Sequence, residues 1–251
     1  MGTGSITQYI DVAQLVLYMF WFFFAGLIYY LVRENHREGY PMETESGRGA
    51  EIKGWPVPAP KIYKTEHGDI TVPDLSRDKR PLMLEPSHPW AGSPLEPTGN
   101  PMLDGVGPGA WAERADVPDL TPDGEPKIVP LRVAGDFGVA HQDVDPRGLT
   151  VVGDDDEIGG TVRDLWIDKS EMMFRFLEVE VAGGRRVLLP MNFARIRRSG
   201  VKVHSVLGAH FAEVPGIKSP DQITFLEEEK IMAYYGGGTL YATPSRAEPL
   251  L

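Results

Sequence analysis

Asp168, Glu171 and Arg175 are the residues whose types and spacing could do chemistry. The two acids stand three positions apart just after the apolar run that contains Trp166, and the arginine follows four positions later. An aspartate, a glutamate and an arginine near one turn can hold a proton among them, because burial and a neighbouring carboxylate raise an acid's pKa toward neutrality. Protons pass between such groups when they lie at hydrogen-bonding separations. A surface ion-pair cluster at a strand-to-turn junction would use the same residue types. On the residues alone both readings stand.

Other constellations are blander. His36, His67, His88, His141, His204 and His210 are scattered, and none has the spacing of a metal-ligand set. Asp154-Asp155-Asp156-Glu157 lacks the spacing and glycine of a calcium loop and reads as a turn before a strand. Gly236-Gly237-Gly238 follows a predicted helix instead of opening one, so it is not a phosphate loop. No Ser-His-Asp or Cys-His arrangement can be inferred. There is no cysteine, which excludes disulfides and thiolate chemistry. The expectation is a protein with no catalytic site and no metal site of its own.

The element that must position everything else is Val12 to Val32, 21 residues without a charge. As a helix it spans roughly 31 Å, the thickness of a bilayer's hydrocarbon core. A backbone crossing lipid must satisfy its own hydrogen bonds, which one helix does. A cleaved signal peptide needs a basic leader and a small-residue cleavage site, and residues 1–11 contain no Lys or Arg. Asp11 is placed to cap the helix start. Arg33, Arg37, Arg48 and Lys53 follow the apolar run, so the positive-inside rule puts the N-terminus outside and the remainder in the cytoplasm. Tyr29, Tyr30, Arg33 and Arg37 are expected at the membrane interface.

Four segments follow: a leader over 1–11, the helix and its cytoplasmic extension over 12–38, a proline-rich stretch over 39–138, and a β-rich domain over 139–251. Gly39 and Pro41 are expected to stop the helix. Residues 41–130 hold 16 of the 22 prolines, yet carry Trp55, Trp90 and Trp111. Large aromatics argue against a free linker, so this stretch is expected to be ordered, irregular and packed on partner subunits. Short strands are expected at 70–72 and around 127–133. The net charge of −11 argues against nucleic acid and offers no basic face for anionic lipid.

From about Val139 the pattern turns to β. Strands are expected at 157–168, 174–181, 185–190 and around 201–203, with Ala182-Gly183-Gly184 as a hairpin turn. In Phe174 to Val181 alternation puts Leu177, Val179 and Val181 on one face and Phe176, Glu178 and Glu180 on the other. Short strands with glycine turns suggest a small barrel. Ser219-Pro220-Asp221 reads as the cap of a helix near 219–235, ended by the triple glycine. Glu227-Glu228-Glu229 reads as its solvated face.

The segments FWFFFAGLIYYLVRENHREGYP, GNPMLDGVGPGAW, EIGGTVRDLWID, RFLEVEV, IKSPDQITFLEEEKI and GGGTLYATP, in that order, resemble the H subunit of the purple bacterial photosynthetic reaction centre. The β segment alone resembles the PRC-barrel. The resemblance implies one transmembrane helix, its N-terminus on the periplasmic side, plus a mainly-β, PRC-barrel-like cytoplasmic domain with a C-terminal α-helix and a long irregular Pro-rich segment. It implies a non-pigmented subunit that caps the cytoplasmic face of the L and M subunits, stabilises them and helps conduct protons to the secondary quinone. Bacteriochlorophyll, bacteriopheophytin, quinones, non-haem iron and carotenoid would sit on L and M. A light-harvesting 1 antenna, a cytochrome subunit and membrane lipids are further neighbours compatible with the resemblance. An anchored PRC-barrel adaptor that binds a soluble partner is the alternative.

By match to the family, Asp168 and Glu171, with Arg175 beside them, fall in its internal acid cluster. The family's proton-collecting surface carries a histidine pair just before a Lys-Ile-x-Pro stretch. Here Lys127-Ile128-Val129-Pro130 is preceded by Asp123 and Glu125 instead, with Asp119 nearby. Carboxylates titrate lower than imidazole. Their replacement of the histidines also predicts weak inhibition by Zn²⁺ or Cd²⁺.

Overall fold

The structure, a computed structural model, describes residues 4–6, 10–37, 57–66, 68–74, 79–90 and 93–247. Gly39, Pro41, Arg48, Lys53, Trp55 and His67 lie outside the described residues. The chain divides into two units, residues 1–80 with 88–93, and residues 81–87 with 94–251.

The first unit is built on helix α1 (Val12–Asn35), which has no buried residue. An apolar helix that buries no residue against the described part of the chain needs another apolar phase around it, and its length suits a bilayer. Asp11 caps it, its carboxylate accepting from the Gln14 N–H at 2.7 Å. The helix ends at Asn35 instead of continuing to 38, with His36 as C-cap. The reason is local: Arg37 folds back onto Glu34 at 2.8 Å and donates to the Ala59 carbonyl. Lys61 also reaches Glu34 at 2.8 Å. This ties the helix end to the hairpin β1 (Lys61–Thr65) and β2 (Gly68–Val72), of which only 70–72 was expected. Every described residue of that hairpin is exposed, including Ile62, Tyr63 and Ile70.

The second unit opens with a short pair, β3 (Leu84–Pro86) and β4 (Leu95–Pro97). Its main sheet contains β5 (Ile128–Pro130), β6 (Thr150–Val152), β7 (Ile158–Asp168), β8 (Met173–Glu180), β9 (Arg186–Pro190), β10 (Ala194–Arg197) and β11 (Gly200–Val203). The order is β10-β11-β6-β7-β8-β9, with β5 also pairing β7. Only the β6–β11 pairing is parallel. The spine is β7: β6 pairs its first half, β5 its last three residues, and β8 its other edge. The core includes Val151, Val162, Leu165, Phe176, Leu189 and Val203.

Two expectations shift. Part of the proline-rich stretch belongs to this unit's own core, since Met102, Ile128, Val129 and Leu131 are buried in it. The face of Phe176 and Glu178, expected opposite that of Leu177 and Val179, is buried as well: each is 2% exposed, and Arg132 covers Glu178.

Helix α2 (Phe225–Tyr241) also differs from expectation. It begins six residues after Ser219, capped by Thr224. The Thr224 hydroxyl accepts from Glu227 N–H at 3.2 Å, and the Glu227 carboxylate accepts from Thr224 N–H at 2.9 Å. This is a capping box, which outcompetes the Ser-Pro-Asp signal. Glu227 is therefore buried, not solvated. The helix then runs through Gly236-Gly237-Gly238. A Cβ at Gly238 would lie 2.4 Å from the Ser205 carbonyl oxygen, and one at Gly237 3.1 Å from the Cα of Gly109. The glycines let two backbones approach the helix; they do not break it.

Candidate functional site

Antiparallel pairing of β5 with β7 sets Ile128 opposite Asp168. Lys127, just before β5, then lies beside Lys169, just after β7, and the Lys169 N–H donates to the Lys127 carbonyl at 3.0 Å. The loop ahead of β5 doubles back, with Lys127 N–H bonded to the Asp119 carbonyl at 2.8 Å. That closure returns Asp119 to Lys127. After β7 the turn 169–172 is fixed by the Asp168 carboxylate, which accepts from the N–H groups of Ser170 and Glu171 at 2.9 and 3.0 Å. Asp168 is thus both a turn former and a buried acid, 1% exposed.

The Lys127 ammonium is the hub. It lies 3.4 Å from Asp119, 3.4 Å from Asp168 and 3.6 Å from Glu171. Arg175 stands 3.7 Å from Glu171. It is the unpaired residue of a bulge, since Trp166 pairs Phe176 and Ile167 pairs Phe174. Bulges re-aim side chains, here toward the acids. Lys169 holds Glu125 at 2.8 Å, which keeps that carboxyl below its usual pKa. Burial pushes the Lys127 ammonium down, but Asp168 and Asp119 outweigh it and hold its pKa above the ordinary lysine value.

Of the sequence-predicted residues, Asp119, Asp168, Glu171 and Arg175 come together around Lys127. Glu125 joins through Lys169. Asp123 stands exposed at the tip of the loop, outside these ion pairs. In the first unit Tyr29, Tyr30 and Arg33 are exposed at the far end of α1, whereas Arg37 is engaged by Glu34 and Ala59.

Sequence reasoning missed Lys127 and Lys169 as members, and it missed Glu228. With Glu227 taken by the cap and Glu229 paired to Arg114 at 3.4 Å, Glu228 borders a groove with Arg175, Met173 and Asn192. Burial raises its pKa; Arg175 and Arg114 oppose this, and Asp119 and Asp168 add to it. The capping-box register, Thr224 to Glu227, was the available signal.

Chemically, three carboxylates converge on one ammonium, and a fourth with a raised pKa lies within their field. The three acids lie within 3.4–3.6 Å of one cation at a single turn.

Two stretches of this sequence match known families. Residues 139–209 match the PRC-barrel domain and take in strands β6 to β11 of the main sheet. Residues 4–133 match the family described as photosynthetic reaction centre, H-chain N-terminal region. That match begins before α1 and runs through β5 and its Lys-Ile-x-Pro stretch, taking in more than half of the chain. Among the described residues one helix apolar enough to cross a membrane, a mainly-β domain and a C-terminal helix accompany it, and the chain belongs to the photosynthetic reaction centre H-chain family, as a membrane-anchored subunit.

Proposed function

We propose that this chain caps the cytoplasmic face of the L and M subunits, stabilises them, and relays protons toward the secondary quinone that they hold. The family supports association with L and M; the relay is our reading of the acid cluster. The observation that carries it is the convergence of Asp119, Asp168 and Glu171 on Lys127. Full reduction of a quinone consumes two protons. On this reading Asp123 and Glu125 collect protons at the surface, Asp119 passes them inward, and Asp168 and Glu171 hold them beside Arg175. Glu228, with its raised pKa, is a reserve within the same field. The N-terminus lies on the periplasmic side, and the exposed β1–β2 hairpin and the remaining proline-rich stretch pack on partner subunits.

Two measurements test this. Purification through a tag on this chain should bring down L and M with near-infrared pigment bands; a colourless eluate from pigmented cells sinks the capping role. Flash-induced proton uptake, followed with a pH-indicator dye, should slow in the Asp168→Asn/Glu171→Gln variant; unchanged uptake in an intact complex sinks the relay.

A further inference from the structure

The net charge of −11 hides one strongly basic place. Strands β10 and β11 form an antiparallel hairpin at the edge of the sheet, with Arg195 opposite Lys202 and Arg197 opposite Gly200. Alternation sends Arg195 and Arg197 outward while Ile196 between them packs on the core. With Lys202, His204 and the hydroxyl residues Thr150 and Ser199, the two arginines line a groove of about 350 Å³. Arg198 is exposed at the adjoining turn.

These arginines differ from others in the same unit. Arg132, Arg147, Arg163, Arg175 and Arg186 each face a carboxylate. Arg195, Arg197 and Arg198 form no ion pair among the described residues. The one carboxylate lining the groove, Asp156, is held by Lys202 at 2.5 Å. His204 meets Asp154 at 2.8 Å. Two free guanidinium forks are therefore left, side by side on one face of a rigid hairpin.

We propose that this groove binds a phosphate-bearing anion, whether the headgroup of an anionic phospholipid or a free phosphate compound. Guanidinium matches phosphate oxygens with two parallel charge-assisted bonds, and hydroxyls at the rim can supply further donors. The bilayer around α1 keeps headgroups at high local concentration for a tethered domain. Exposed cations on an edge strand also discourage pairing with another sheet. That role explains the charge, but it requires no groove between the hairpin and β6. The proposal is independent of the proton relay, since none of its residues belongs to the acid cluster. It revises the expectation, drawn from net charge alone, that the chain has no basic face for anionic lipid.

The test is calorimetric titration of the full chain, in a neutral detergent at low salt, with short-chain phosphatidylglycerol, short-chain phosphatidylcholine and inorganic phosphate. Saturable binding of phosphatidylglycerol but not phosphatidylcholine is expected. It should weaken by about tenfold or more in Arg195→Gln/Arg197→Gln and fade as salt rises. Phosphate binding of similar strength would assign the site to free phosphate; phosphatidylglycerol alone would assign it to lipid. The Arg195→Lys/Arg197→Lys variant, which keeps the charge and loses the fork, should fall between. The proposal is overturned if neither anion binds saturably, if the glutamine variant at an unchanged melting temperature binds equally well, or if an acidic peptide such as polyglutamate binds while both phosphate probes do not.

Discussion

Two acid clusters sit on one strand, on either side of Trp166, and they are built to opposite ends. On β7 alternation puts Asp164, Trp166 and Asp168 on one face. At Asp164 the cluster is sealed. Arg132 reaches Asp164 at 3.1 Å and Glu178 at 2.7 Å, while Arg186 and the Trp166 indole donate to Glu178 at 2.7 and 2.9 Å. Two buried carboxylates thus meet two arginines. Burial pushes the Glu178 carboxyl up, but Arg132, Trp166 and Arg186 together hold it below the usual range. At Asp168 the distances are longer, three carboxylates share one ammonium with Arg175 reaching only Glu171, and Glu228 nearby is pushed up. One cluster is closed by short bonds to two arginines; the other holds its acids at longer range. On the proposed reading the same residue types, four positions apart on one strand, serve stability in one place and proton traffic in the other.

This comparison can be broken by experiment, and the largest expected effect is at the sealed end. Glu178→Ala leaves the buried Trp166 indole N–H without its acceptor and removes charge-assisted bonds from Arg132 and Arg186, and should cost about 3 kcal/mol in chemical denaturation. Since the folded pKa of Glu178 is depressed, its contribution is complete above the ordinary glutamate value of about 4.3 and is lost as pH falls through the lower folded value. A variant that is no more acid-stable and no less stable at neutral pH would contradict the sealed reading.

A smaller loss is expected from Asp168→Ala, which strands two turn N–H groups, about 1–3 kcal/mol by the same measurement. Asp168→Asn keeps the acceptor oxygen and should recover most of it. Equal losses for both would mean that the charge, not the turn, holds Asp168 in place.

Replacing the hub sharpens the contrast without removing an acid. Lys127→Met leaves Asp119, Asp168 and Glu171 facing one another, so the set should bind its proton at higher pH. The pH profile of proton uptake should move up by about one unit; a downward shift would contradict the arrangement. The smallest effect is expected from added metal. With Asp123 and Glu125 in place of histidines, micromolar Cd²⁺ should leave uptake nearly unchanged, and strong inhibition would show a metal-sensitive site elsewhere.

The fold was legible where one signal dominated. The uncharged run of α1, the alternation in β7 and β8 and the glycine turn after β8 each follow a single periodicity or turn rule. Strands β6 and β10 are three and four residues long, and such lengths carry little pattern. The start of α2 was misread because two caps compete within six residues, and its passage through three glycines depends on backbones that approach from far along the sequence. Asp168, Glu171 and Arg175 were visible as neighbours in sequence. Lys127 was not visible as their hub, because a pairing between β5 and β7 brings it across some 40 positions. The burial of Glu178 was not legible, because alternation reports the two faces of a strand, not what covers them.

The most direct measurement is the rate of the second electron transfer to the secondary quinone in reaction centres carrying Asp168→Asn. The account predicts a slowing of about tenfold or more, within the range assigned to positioned proton-transfer groups, with the first electron transfer and the pigment spectrum unchanged. A second transfer as fast as in the unmodified complex would contradict it and leave the open cluster, like the sealed one, as a structural device.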